Sequence, residues 1–86
     1  MAAVQIRYWA AARAAAGVAD ELVEGRSVAD ALSAARDRHR DEPRFDKVLS
    51  VCSFLLGEQP LGTRDLSGVT LADGDVIDVL PPFAGG

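Results

Sequence analysis

The sequence predicts an α+β domain of two layers, in which a mixed sheet of four to five strands carries one main helix on one face. Three observations lead there. One long amphipathic stretch lies between Ser27 and Arg40. Short runs rich in β-branched and aromatic residues surround it, the most apolar being Val4–Trp9, Ser50–Leu56 and Asp75–Leu80. The 86 residues make one domain, with room for a single modest core, since a chain of this size buries a little over ~60% of its unfolded surface. Residues 1–80 are assigned to that domain and 81–86 to a flexible functional tail.

In chain order, Val4-Gln5-Ile6-Arg7-Tyr8-Trp9 alternates apolar and polar residues, which is a strand signal. Ala10 to Ala16 is almost all alanine and meets Gly17, so a short helix or helical turn with a glycine stop is expected. Ala19–Glu24 reads as a weak, charged edge strand. Ser27 is placed as an N-cap with Asp30 three residues on. The helix it starts should run to about Arg40. Val28, Ala31, Leu32, Ala35 and His39 then form one apolar stripe, and His39 reads as a helix-end residue beside the last carbonyls. Pro43 breaks the helix, and Phe45, Val48 and Leu49 share one face of a further turn. A strand is expected over Ser50–Leu56, with Cys52 as a small buried hydrophobe. A turn comes next at Gly57–Pro60, then a loop, then the sharp Ala72-Asp73-Gly74-Asp75 turn. In the last strand Ile77 and Val79 face one way, and Val76, Asp78 and Leu80 the other. Apolar residues on both faces assign it a central position, with the first strand and residues 50–56 beside it.

Composition narrows the function. No apolar run is long enough to span a membrane, and no signal peptide is visible, so a soluble cytoplasmic protein is expected. The single cysteine and single histidine argue against a structural zinc site or an iron–sulfur cluster, which need several such ligands. No metal site is assigned. Residues 1–56 carry eight basic and eight acidic side chains, whereas 57–86 carry Arg64 against Glu58, Asp65, Asp73, Asp75 and Asp78. The net charge of −4 thus lies in the third of the chain leading to the tail. That disfavours nucleic acid. It fits either a partner with a basic docking surface or ordinary solubilising charge.

The chain holds no nucleophile with an adjacent base and no phosphate-binding glycine loop, because Gly57, Gly62, Gly68 and Gly74 are separate turn glycines. The distinctive stretch is Pro81-Pro82-Phe83-Ala84-Gly85-Gly86. The proline pair ends strand pairing and holds the next residues extended. The two glycines, lacking Cβ, are thin enough to enter a narrow tunnel in another protein. The reactive group expected here is the Gly86 carboxylate, inert until activated as a mixed anhydride or acyl adenylate.

Three places carry a resemblance. Ile6-Arg7-Tyr8-Trp9-Ala10-Ala11-Ala12-Arg13, closed by Gly17, resembles the first strand and turn of the β-grasp, ubiquitin-like sulfur carriers of the MoaD type, the small subunits of molybdopterin synthase. Leu71–Val76 resembles their turn into the last strand, and Leu80–Gly86 their functional tail. Departures are Phe83, where a smaller residue such as valine is usual, Ala12 and Ala14 around Arg13, and a Gly57-Glu58 turn without a preceding asparagine. The resemblance implies a β-grasp fold and a chain that is not catalytic alone. It implies that a ubiquitin-activating-enzyme-like adenylyltransferase uses ATP to adenylate Gly86, that a persulfide donor supplies sulfur, and that the resulting thiocarboxylate builds the molybdopterin dithiolene in the large subunit. No permanently bound cofactor is implied. Trp9, Arg13, Asp78 and Leu80 are the candidate partner contacts: Trp9, Phe83 and the last strand on the sheet face the helix leaves open, with Arg13 and Asp78 beside that region. Carriers for thiamine or cysteine synthesis, a protein modifier conjugated through Gly86, and a plain interaction domain remain alternative readings.

Overall fold

The computed structural model describes residues 1–82. Its elements are β1 (Ala2–Tyr8), α1 (Ala10–Ala16), β2 (Asp20–Gly25), α2 (Val28–Arg38), α3 (Pro43–Ser50), β3 (Ser53–Leu56), β4 (Gln59–Pro60), a 3₁₀ turn (Leu66–Gly68) and β5 (Val76–Leu80). The five strands form one sheet in the order β2-β1-β5-β3-β4. β1 and β5 run parallel at the centre, and the other pairs are antiparallel. This is the β-grasp arrangement, with the expected central place for the last strand.

The register explains the two faces. Val4, Ile6 and Tyr8 of β1 stand beside Val23 of β2 and Ile77 and Val79 of β5, and all are buried. α2 lies over this face. Val28, Ala31 and Ala35 are fully buried and Leu32 is nearly so, which is the stripe read from the sequence. Ser27 caps the helix, its Oγ accepting from the Asp30 N–H at 3.2 Å. Gly25 allows the close approach: a Cβ built there would stand 2.8 Å from the Ala31 nitrogen and 2.9 Å from Asp30 Cβ.

Four local expectations are corrected. The further turn after Pro43 is a full third helix, because Pro43 starts α3 instead of only ending α2, as suits a residue without an N–H at a first helical turn. Phe45 and Leu49 bury the inner face of α3, so Ser50 closes that helix and the strand begins at Ser53. Cys52, half-buried at that junction, donates from Sγ to the Val48 carbonyl at 3.1 Å. α2 stops at Arg38 because His39 leaves helical geometry and turns its ring onto Phe45, centroids 4.5 Å apart.

That ring closes a buried polar cluster. Glu21 accepts from the Tyr8 hydroxyl, from His39 Nε2 at 2.6 Å and from Arg38 Nη1 at 3.3 Å. Burial alone would push the Glu21 carboxyl up, but the hydrogen bonds from Tyr8, His39 and Arg38 outweigh it and hold the carboxyl below its usual range. An ionised carboxylate only accepts, so His39 Nε2 carries the proton of that bond. Burial, then the bond to Glu21, holds the Tyr8 hydroxyl far above its usual range. Arg38 also donates to the Leu22 carbonyl at 2.8 Å, which blunts the edge presented by β2. The cluster ties the end of α2 to the sheet.

Candidate functional site

The sheet face opposite the helices leads to the end of β5, where the chain leaves the sheet. Alternation places Arg7 and Gln5 of β1, Asp20, Leu22 and Glu24 of β2, Val76, Asp78 and Leu80 of β5, and Ser53 and Leu55 of β3 on this outer face. β5 delivers the chain to Leu80, half-buried opposite Ser53, and then to half-buried Pro81 and exposed Pro82. Neither proline offers an N–H, so the ladder ends there. Because β1 and β5 are parallel, both reach the same end of the sheet. The Trp9 N–H donates to the Val79 carbonyl at 3.2 Å, which sets Trp9 beside the root of the tail. Phe83, Ala84, Gly85 and Gly86, named from the sequence as tail and reactive end, lie outside the described residues.

The four partner-contact candidates differ in setting. Trp9 is 48% exposed and Leu80 half-buried, adjoining one another on the outer face. Asp78 is not the free surface charge that its sequence position suggests. Its side chain is only 6% exposed. Oδ1 accepts from Arg7 Nε and Trp9 Nε1, each at 2.8 Å, and Oδ2 accepts from Arg7 Nη2 at 2.9 Å. The Arg7 hydrogen bond, against the opposing effect of burial and with help from Trp9, holds this carboxyl below its usual range. Charge reversal there would therefore disturb the fold as well as the face. Arg7, absent from the candidate contacts, is the other half of this pair. Its signal in the sequence is a lone cation at an outward position of a central strand, but only the β1–β5 register sets it against Asp78. Arg13 is exposed on α1 and makes no ion pair among the described residues. It lines an open cleft of about 400 Å³ with Ala10, Ala14, Gly17, Val18 and Ala19, a set with one cation and otherwise small apolar groups.

The acid-rich last third is less available than its charge implies. Asp65 accepts from the Ser67 N–H and hydroxyl, Asp73 from the Ala3 N–H and Asp75 from the Ala72 N–H, the last two each at 2.8 Å. With Asp78 buried, four of its five acids serve local structure, which favours the solubilising and turn-forming reading for most of that charge. Among the described residues no group of three or more His, Cys, Asp or Glu is placed to hold a metal, and no helix is long and apolar enough to cross a membrane.

A five-stranded mixed sheet with the first and last strands parallel at its centre defines a β-grasp domain of the ubiquitin-like class. The ThiS family model matches residues 6–86, and the chain belongs to that family. It is 31% identical over 86 residues to the molybdopterin synthase sulfur carrier subunit of Chlamydomonas reinhardtii, covering 96% of this chain and 98% of that protein. Among solved structures it is similar to small archaeal modifier protein 1 of Methanosarcina acetivorans, with TM-score 0.83, 25% identity and coverage of 100% and 98% of the two chains. It is also similar to a molybdopterin converting factor subunit 1, described as putative, of Pyrococcus furiosus, with TM-score 0.77, 25% identity and coverage of 95% and 99%.

Proposed function

We propose that this chain is a sulfur carrier whose reactive group is the Gly86 carboxylate and that it serves as the small subunit of molybdopterin synthase. The observation that carries the reading is the family match running through residue 86, diglycine included; the relative named as a sulfur carrier subunit supports the particular pathway. In the proposed sequence an activating enzyme transfers AMP from ATP to the carboxylate, releasing pyrophosphate. The terminal sulfur of a persulfide displaces AMP, giving an acyl disulfide. A thiol cleaves its S–S bond and leaves the thiocarboxylate. That group is anionic and a good sulfur nucleophile at neutral pH. The large subunit receives the tail, and the sulfur passes to a pterin precursor to build the dithiolene. In this reading the chain lends no acid or base of its own to the transfer. It supplies a carboxylate on a slim arm and a face beside the arm's root on which a partner can register.

The test uses intact mass after incubation with activating enzyme, ATP and a sulfur source. Wild type gains the mass difference between sulfur and oxygen. Deleting Gly86 withdraws the carboxylate by about one extended residue, ~3.5 Å, and a ~1 Å misplacement can already cost ~100-fold in rate. Adding one residue after Gly86, or Gly85→Val, fails for the same positional reason or by crowding. Sulfur incorporation at the wild-type rate in the Gly86-deleted chain refutes the reading.

The similarity to small archaeal modifier protein 1 favours one second reading, a modifier joined through Gly86 to an amine. Lys47, the sole lysine of the chain, is exposed on α3. Self-conjugation through a side chain would therefore branch at Lys47. Branched peptides in cell extract, in place of thiocarboxylate, select this reading.

A further inference from the structure

The outer face holds a feature that the carrier chemistry does not require. Asp78 is nearly buried, yet none of the described helices lies over its side of the sheet. What covers it is Arg7, 43% exposed as a side chain, and the indole of Trp9, which reaches back from beyond the end of β1. The indole is clasped from two directions. Its Nε1–H donates to Asp78 Oδ1 at 2.8 Å, and the Arg7 guanidinium carbon lies 5.9 Å from the ring centroid, within cation–π range. The main chain bends sharply to allow this: Trp9 is extended and Ala10 takes φ 49°, a left-handed conformation that a residue with a Cβ seldom adopts. A large apolar side chain is thus held in one orientation while 48% exposed.

We infer that Trp9 is a preset docking anchor on the outer face, and that Asp78, with Arg7, is the positioning group that holds its indole rather than a residue that touches the partner. The inference rests on the carrier reading and names the occupant as the large subunit that receives the tail. Continuity carries that choice: Trp9 stands beside Val79, next to the root of the tail, so a protein that takes in the tail is brought to this face. Tryptophan is, with tyrosine and arginine, enriched among the few residues that carry most of the binding energy at interfaces, and one already fixed in a single rotamer loses less entropy on binding. Leu80, Leu55 and Val76 supply apolar surface around it, and the Arg7 charge is matched by Asp78. Asp20 and Glu24 on β2 leave the rim acidic. The complementary surface is an apolar pocket with a basic rim.

The experiment has two arms. In the free protein, time-resolved anisotropy follows Trp9, the only tryptophan. Asp78→Leu, which keeps an apolar residue on the central strand, is expected to add a fast local component that wild type lacks. Asp78→Asn, which retains a carbonyl acceptor for the indole, restores most of the slow behaviour. In the second arm, binding to the separately purified large subunit of molybdopterin synthase is measured by calorimetry for wild type, Asp78→Leu, Trp9→Ala and the double variant. Trp9→Ala is expected to weaken binding at least ~30-fold, as an interface anchor does. Asp78→Leu should weaken it by up to about tenfold, the entropy of one released side chain. In the Trp9→Ala background Asp78→Leu should then add nothing. An equal effect of Asp78→Leu in both backgrounds overturns the positioning role, as does unchanged anisotropy. Failure of wild type to bind overturns the docking partner and the anchor role together, while the anisotropy arm still decides whether Asp78 holds the indole.

Discussion

Two leucines of this chain test the layer arrangement. Leu32 is 2% exposed and lies between fully buried Ala31, Ala35 and Val28, whereas Leu22 is 68% exposed on the outer face of β2. Truncating Leu32 to alanine removes three carbons, worth about 2.4 kcal/mol at ~0.8 kcal/mol each. A cavity contribution adds to that, because the flanking alanines have no reach with which to fill the space. The total is about 3–4 kcal/mol, within the usual range for such changes. A domain of this length is stable by roughly 4–13 kcal/mol, so the loss is a large part of the whole. At 4–8 °C per kcal/mol it lowers Tm by roughly 12–30 °C. Leu22→Ala, with the same atoms removed, should stay within ~0.5 kcal/mol. Urea denaturation followed by far-UV circular dichroism measures both, and a shift in midpoint at constant slope identifies a change in stability. A loss under ~1 kcal/mol for Leu32→Ala, or equal losses for the two leucines, refutes the assignment of faces.

Three further outcomes are expected. Glu21 and Asp78 both have carboxyls held below their usual range, so the stability each contributes is present above about pH 4 and is lost as pH falls through the folded-state value. Glu21→Gln should cost about 1–3 kcal/mol at pH 7 and flatten the acid limb of stability against pH; urea midpoints from pH 7 to 3 that keep the wild-type slope would contradict this. Gly25→Ala should cost about 1–3 kcal/mol by overpacking, since its Cβ would meet the Ala31 nitrogen at 2.8 Å. Gly68→Ala, with nothing within 4 Å, is the control, and equal thermal shifts would exclude the close β2–α2 contact. Ala10→Gly should stabilise by about 0.5–1 kcal/mol, because relief of the left-handed strain, ~1–2 kcal/mol, exceeds the added unfolded-state entropy, ~0.4–1 kcal/mol; a lower Tm in a thermal melt would exclude that strain.

Local physics made much of this protein legible from its sequence. The α2 stripe at Val28, Ala31, Leu32 and Ala35 follows from the 3.6-residue period, and the Ser27 cap from side-chain chemistry at a helix start. Apolar residues on both faces of Val76–Leu80 identified the central strand, because a strand flanked on both edges by β1 and β3 shields part of its outer side chains as well as its inner ones. The tail motif pointed to the family without any tertiary argument. Tertiary structure alone decided what depends on register and on long-range approach. Pro43 serves equally to end one helix or to begin another, and the burial of Phe45 and Leu49 settled it. Glu21 and His39 read as an edge-strand acid and a helix-end base until the turn of α2 onto β2 joined them with Tyr8. Arg7 and Asp78 stand 71 positions apart, and nothing in either segment specifies the parallel register that pairs them. Sequence periodicity assigns a residue to a face; only the alignment of two distant strands determines which charge it meets there.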